Sequence, residues 1–335
     1  MSSDNRSYSS PPFFQLLGFF ENNSAHFYIS TPLFFLYFLS VVGNSLILYI
    51  IKTDNQLFEP MYRLLSMLAV TDLSITLSIL PSVVCFLFFD LRNIHGYACF
   101  TQAYCIHSMA TIGSTILVAM AFDRYIAICN PLRYASILHP MISKIRLTAI
   151  IRGVGIMLPL PFLLRRLQYC DHNKLYHAFC IHPDVMKLAC SDISINIVYG
   201  LVVVLFTFVL DSLLILCSYL MILRAVLRIA SNKGSLKALS TCVSHISVVL
   251  MFNIPLFSIT LVHRYGKDAP PVVHVLMGLS YLCLPQVLNP LIYSMKTEMI
   301  QNSLYKLVRR KTLNEKHGDD LNTTNTIRTL TRGAE

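Results

Sequence analysis

Phe27-Tyr28-Ile29-Ser30-Thr31-Pro32-Leu33-Phe34-Phe35-Leu36-Tyr37-Phe38-Leu39-Ser40-Val41-Val42-Gly43-Asn44-Ser45-Leu46-Ile47-Leu48-Tyr49-Ile50-Ile51 carries no charged side chain. At about 1.5 Å per helical residue it reaches about 37 Å, enough to cross a hydrocarbon core about 30 Å thick. It is too long for the apolar part of a secretory signal. Arg6 is the only Lys or Arg before it, among polar Ser, Asn and Pro residues. It reads as a first span that directs insertion, with nothing cleaved. Six more stretches of similar character follow, at about 62–89, 99–128, 145–164, 193–223, 238–262 and 272–295. In hydrocarbon every backbone amide needs an internal partner, and barrel strands would be alternating runs of about ten residues. The sequence therefore predicts an all-α membrane protein, a seven-transmembrane helix bundle.

Composition agrees. Of 335 residues, 55% are hydrophobic and 13% are charged, and the mean hydropathy is +0.58. Soluble domains carry about 25% charged residues. That excludes a soluble enzyme, and the hydrophobicity excludes a disordered scaffold. The net charge of +10 could suggest nucleic acid. The basic residues instead fall in short segments between apolar runs, so no nucleic-acid partner is expected. Of the 27 Lys and Arg residues, 18 fall on one side of the predicted membrane and 8 on the other, with Arg152 inside the fourth span. The basic side faces the cytosol, which puts the N-terminus outside and the C-terminus inside a plasma membrane.

Four regions are expected: an extracellular segment 1–26, the bundle 27–295, an amphipathic interfacial helix 296–311 and a disordered cytoplasmic tail 312–335. Asn5-Arg6-Ser7 and Asn22-Asn23-Ser24 are glycosylation acceptors on the outer side. In 296–311, Ile300, Leu304, Leu307 and Val308 share a face. Lys306, Arg309, Arg310 and Lys311 supply charge for anionic lipid. No internal repeat is present, which argues against an inverted-repeat transporter.

Of ten cysteines, Cys85, Cys105, Cys129, Cys217, Cys242 and Cys283 fall in spans or at their inner ends and read as buried small side chains. Cys99, Cys170, Cys180 and Cys190 cluster on the outer, oxidising side and suit two disulfides. Four cysteines allow three pairings. They lack the close pairs of a zinc site, so no metal is expected.

The third span ends in Met120-Ala121-Phe122-Asp123-Arg124-Tyr125-Ile126-Ala127-Ile128-Cys129-Asn130-Pro131-Leu132-Arg133-Tyr134. Opposite charges side by side at the water boundary suit a switch. The string resembles the signature of odorant receptors, within the rhodopsin-like receptors coupled to G proteins. Gly43-Asn44, Pro60-Met61-Tyr62, Leu68-Ala69-Val70-Thr71-Asp72, Lys237 to Ile246 and Pro285 to Tyr293 match in the same order over residues 20–310. Phe179 to Leu188 and His263-Arg264 look like the fish-like, class I subset.

The resemblance implies disulfides Cys99–Cys180 and Cys170–Cys190, and a lid over a pocket between helices. It implies a G-protein switch of Asp123, Arg124, Tyr125, Asn289, Pro290 and Tyr293. An intramembrane polar site would comprise Asn44, Asp72 and Asn289. Gly113 stands where the family often has a further acid, and Asn253 where Tyr is expected. Asp211 and Arg152, charges inside spans five and four, find no assignable partner in the sequence.

Spacing places His107 about 12 Å below Cys99, on one face with Ala110, Thr111 and Ser114. Arg264 ends span six with a planar fork suited to a carboxylate. The candidate ligand-binding set is His107, Thr111, His182, Tyr199, Thr260 and Arg264. Arg264, His182 and His107 would hold the polar end of the ligand.

The expected protein is an odorant-activated receptor for a small, acidic or polar ligand. The expected partners are a stimulatory G protein that raises cyclic AMP and membrane lipid, with no cofactor. A receptor for a small carboxylate metabolite is the alternative. A transporter or channel would need a midplane chain of ionisable groups, which the scattered Asp72, Asp211 and Arg152 do not form. A membrane enzyme would need a catalytic motif such as HExxH or a nucleophile elbow, and none is found.

Overall fold

Each apolar run folds as one helix or a broken pair in this computed structural model. It describes residues 13–17, 23–170, 173–175, 177–227, 232–265, 270–297, 299–307 and 309. Side chains at 23–30, 232–241, 264, 265, 271, 275 and 296 lie outside that description.

A strand β1 (Phe13–Leu16) precedes α1 (Asn23–Thr53), α2 (Pro60–Phe89), β2 (Asn93–His95) and α3 (Gly96–Cys129). Span four is α4 (Tyr134–Met157) with α5 (Pro159–Arg165). The loop beyond it holds β3 (Lys174–Leu175) and a short helix α6 (His182–Lys187). Span five is α7 (Ser194–Val203), a π-helical turn Val204–Val209 and α8 (Leu210–Val226). Spans six and seven are α9 (Asn232–Tyr265) and α10 (Pro271–Lys296), and residues 299–307 are helical again. Among the described residues, seven helical spans are long and apolar enough to cross a membrane.

Local chemistry sets the helix ends. Pro60 and Pro271 open α2 and α10 at the position where no N–H is needed. The His95 ring accepts from Tyr97 N–H at the start of α3. Asp90, at φ 50°, closes α2 in the left-handed region, with its N–H on Cys85 O. Span four starts at the Tyr134 helix rather than near residue 145. The turns carrying Lys144 and Arg146 are charged, so hydropathy misses them, but backbone bonding carries the helix past the apolar core.

α3 is the axis of the bundle, packed against α2, α4, α5, α8 and α9. Its inward positions are small or aliphatic: Ala103, Ile106, Ala110, Ile116, Leu117 and Ala121 are all buried. Gly153 lets span four close on it. A Cβ there would lie 2.4 Å from Ile112 Cγ1 and 2.8 Å from Ser108 O. Outward positions on the other spans, such as Phe35, Phe38, Ile151, Leu213 and Leu216, stay exposed. In water that would be a liability; in lipid it is the solvated surface.

Within the segment expected to be a polar N-terminus, β1 lies between β2, antiparallel, and β3, parallel. Phe14 is fully buried against Phe100 and Tyr169. The sheet caps one end of the bundle, the end that also carries the disulfides. Asn5, Asn22 and the tail 312–335 lie outside the described residues.

Candidate functional site

At the capped end, Cys99 bonds to Cys180 and Cys170 to Cys190, with Cα separations of 5.3 and 6.0 Å. The first bond ties the long loop to the top of α3. Gln102, one turn below Cys99, fastens it further. Cys180 N–H donates to Gln102 Oε1 at 2.7 Å, while Gln102 Nε2 donates to Ser78 O and Ser82 Oγ of α2. The loop is thereby drawn down between the helices and delivers α6 into the bundle.

His182, the first residue of α6, meets His107 on α3. Its backbone N–H donates to His107 Nε2 at 3.4 Å. That acceptor role requires an unprotonated His107 Nε2. His182 is buried, and its Nε2 has no partner among the described residues. Burial, with a smaller contribution from the neighbouring His107, pushes its pKa down to about 3. At neutral pH it is therefore a neutral ring, able to donate or accept but carrying no charge.

The His182 ring lies edge-on to Tyr199 of α7 at 6.4 Å. Tyr199 Oη in turn donates to Ile156 O of span four at 2.6 Å. The structure thus gathers His107, His182 and Tyr199. Thr111 donates to His107 O and Thr260 to Leu256 O, each within its own helix. The side chain of Arg264 is outside the described residues.

Asn196 escaped the sequence reading. It is almost fully buried, and its Nδ2 is unpartnered among the described residues. It shares a face of α7 with Gly200, whose position faces His182. An amide within an otherwise apolar run was the available signal.

Deeper in the bundle, the two unassigned charges find each other. Arg152 Nη1 donates to Asp211 Oδ2 at 2.9 Å and to Thr115 Oγ1 at 2.8 Å. Ser114 Oγ donates to the same Asp211 oxygen at 2.6 Å. Arg152 Nη2 also reaches Phe206 O and Thr207 O in the π-helical turn. Ser114 is therefore turned to span five. The sequence held a clue in depth. Arg152 and Asp211 lie about 20 and 26 Å from the capped ends of their spans, counted at 1.5 Å per residue.

In the polar site, Asn289 Nδ2 donates to Asp72 Oδ2 at 2.9 Å. Asn44 joins indirectly. It donates to Ser40 O and Gln286 O, while Ser40 bonds Thr76, whose hydroxyl donates to Asp72 O. Gly113 brings no side-chain atom to it; a Cβ there would lie 3.6 Å from Thr71 Oγ1.

At the opposite end from the cap, Arg124 is bound to Asp123, with Nε on Oδ2 at 2.9 Å. Tyr134 Oη donates to the other oxygen, Oδ1, at 2.8 Å. Both were within the quoted string, but only the folded chain turns Tyr134 back onto Asp123. Tyr219 of α8 and His245 of α9 are hydrogen-bonded. Tyr125 packs beside the Ile222, Val226 and Cys242 cluster, and Tyr293 Oη faces Met120 Sδ at 3.9 Å. Pro290 lies against Gly43, where an added Cβ would sit 3.1 Å from Pro290 Cγ. A charge pair with neighbours on three spans can be held in one helix arrangement and released in another.

A family model described as Olfactory receptor matches residues 33–311. Human Olfactory receptor 51G1 is 49% identical over 294 residues, covering 88% of this chain and 92% of that protein. Human Olfactory receptor 51L1 is 45% identical over 313 residues, 93% of this chain and 99% of that protein. The crystal structure of squid rhodopsin matches with a TM-score of 0.72 over 85% of each chain, at 15% identity, a likeness of fold. The chain belongs to the olfactory receptor family: it is a multi-pass seven-helix receptor for small molecules, coupled to G proteins, and not an enzyme.

Proposed function

We propose that the chain is an odorant receptor for a small acidic or strongly polar ligand, bound at the capped end of the bundle. It signals through a stimulatory G protein that raises cyclic AMP. The capped end faces outside and the Asp123–Arg124 end faces the cytosol of a plasma membrane. The charge bias of the segments and the oxidised cysteines both support that orientation.

The observation that carries the ligand reading is His182. Its buried ring is neutral, its Nε2 is unpartnered among the described residues, and it sits on His107 beneath the disulfide. A buried polar atom without a partner is costly unless something fills its place, and a ligand oxygen would. Since His182 supplies no charge, the positive charge for a carboxylate falls to Arg264. Asn196 and Tyr199 line the same side as further polar groups, and aliphatic side chains hold the tail. Binding that favours one helix arrangement shifts the population toward it. Arg124 then leaves Asp123, and a crevice opens at the cytosolic end for a helix of the G protein.

A cyclic AMP reporter screen of straight-chain acids, alcohols and aldehydes tests this. Acids are expected to be agonists, and Arg264→Ala is expected to abolish their response with surface expression intact. Full-strength acid responses from that variant would sink the reading.

A further inference from the structure

A second cluster lies on the far side of α6. Asp184, two residues after His182, points the opposite way around the short helix. There its carboxylate meets two imidazoles from different elements. His177 Nε2, in the loop before α6, is 2.9 Å from Oδ2. His263 Nε2, at the end of α9, is 3.3 Å from Oδ1. Side-chain exposures are 1% for His177, 6% for His263 and 13% for Asp184, so the cluster is shielded from water.

Span seven completes the cluster. The His274 ring lies 5.1 Å from that of His263. His177 is seated against Gly278, where a Cβ would come within 2.7 Å of its Cε1. Burial opposes ionisation of Asp184, but His177, His263 and Lys187 outweigh it and hold its pKa below the ordinary carboxylate value. The anion is kept, and each oxygen has its own imidazole.

The consequence is mechanical. α6 carries His182 on the side of spans three and five and Asp184 on the side of spans six and seven. His263 immediately precedes Arg264. One carboxylate therefore links the helix that bears His182 to the helix end that bears Arg264. The imidazole nitrogens stand at ion-pair distance but are not aimed along straight hydrogen bonds, so a small shift of the loop or of α9 changes both contacts together.

We propose that Asp184 is a positioning residue for ligand recognition: by clasping His177 and His263 at once, it sets the spacing between His182 and the end of span six. This rests on the ligand reading above. The clasp touches no ligand. It holds α6, with His182, at a set position relative to the end of span six, and its loss lowers affinity rather than the capacity to signal.

The test uses full-length receptor in a cyclic AMP reporter line, with surface labelling and the acids from butanoic to decanoic as probes. Asp184→Asn and His263→Gln are each expected to raise the EC50 about tenfold or more, with the maximal response kept at saturating acid. The double variant is expected to be no worse than either single, because both remove one clasp. An unchanged EC50 in Asp184→Asn at wild-type surface level overturns the proposal. So does a fall in maximal response at unchanged EC50, or additive losses in the double variant. If Asp184→Asn fails to reach the surface, His263→Gln is read against the same limits. If neither reaches it, the two residues serve folding and the proposal is wrong. A wild type silent to every acid overturns the ligand reading and the clasp with it. A responsive wild type matched by its variants overturns the clasp alone.

Discussion

A histidine between two helices does different work from one in water. His182 shows why. Exposed, its ring would gain a proton near pH 6.5. Buried under the disulfide beside His107, it stays neutral down to about pH 3. The unfolded chain therefore holds more protons than the folded one between these values, and stability falls as pH falls through that window. The melting temperature of the receptor in lipid nanodiscs is expected to drop between pH 7 and pH 5. His182→Gln, which has nothing to titrate, is expected to show a shallower drop. Parallel slopes for the two proteins would contradict a neutral buried His182. The residue type was legible in the sequence, and so was its place in a loop. Its neutrality was not, because a pKa depends on what surrounds the ring, and here the surroundings come from α3 and α7.

Between elements, the largest energies in lipid come from polar groups that must be matched. Arg152 and Asp211 looked in the sequence like two isolated charges. In the fold they are one ion pair that joins spans four and five, with Ser114 and Thr115 of α3 as further partners. The π-helical turn of span five widens the backbone where Arg152 enters, and two of its carbonyls accept from the guanidinium. Asp211→Leu alone is expected to destabilise the receptor by about 3–5 kcal/mol, since it leaves a buried cation unmatched. Arg152→Met added to Asp211→Leu is expected to recover most of that loss, read as melting temperature and surface level. A double variant as unstable as the single would show that packing, not charge, governs this contact. At the capped end, a sequence reading by hydropathy passes over β1, because four residues are too few to register. Its Phe14 finds a buried seat only where Phe100 of α3 and Tyr169 of the long loop come together.

For the whole molecule, the decisive segments are the charge-free run Phe27 to Ile51 and its six apolar counterparts, which carry few charges. Such segments have one stable state in hydrocarbon, and seven of them with basic connecting segments predict the topology. Glycosylation and tag accessibility mapping is expected to place Asn22 and Lys233 on opposite sides of the membrane, because five spans lie between them; the same side for both would require an even number of crossings and would undo the seven-span topology. The sequence by itself determined the fold class and approximate spans. It also determined the family, through Met120 to Tyr134 and the motifs in register with it, because these features are local: hydropathy, periodicity and contiguous strings. Tertiary structure alone decided what the scattered polar residues do. Arg152 with Asp211, Tyr134 with Asp123, Gln102 with the loop, and Asp184 between two histidines are each made of residues far apart in the chain or turned by a helix end. Their meaning lies in distances and burial, which no single segment carries and which only helix packing creates.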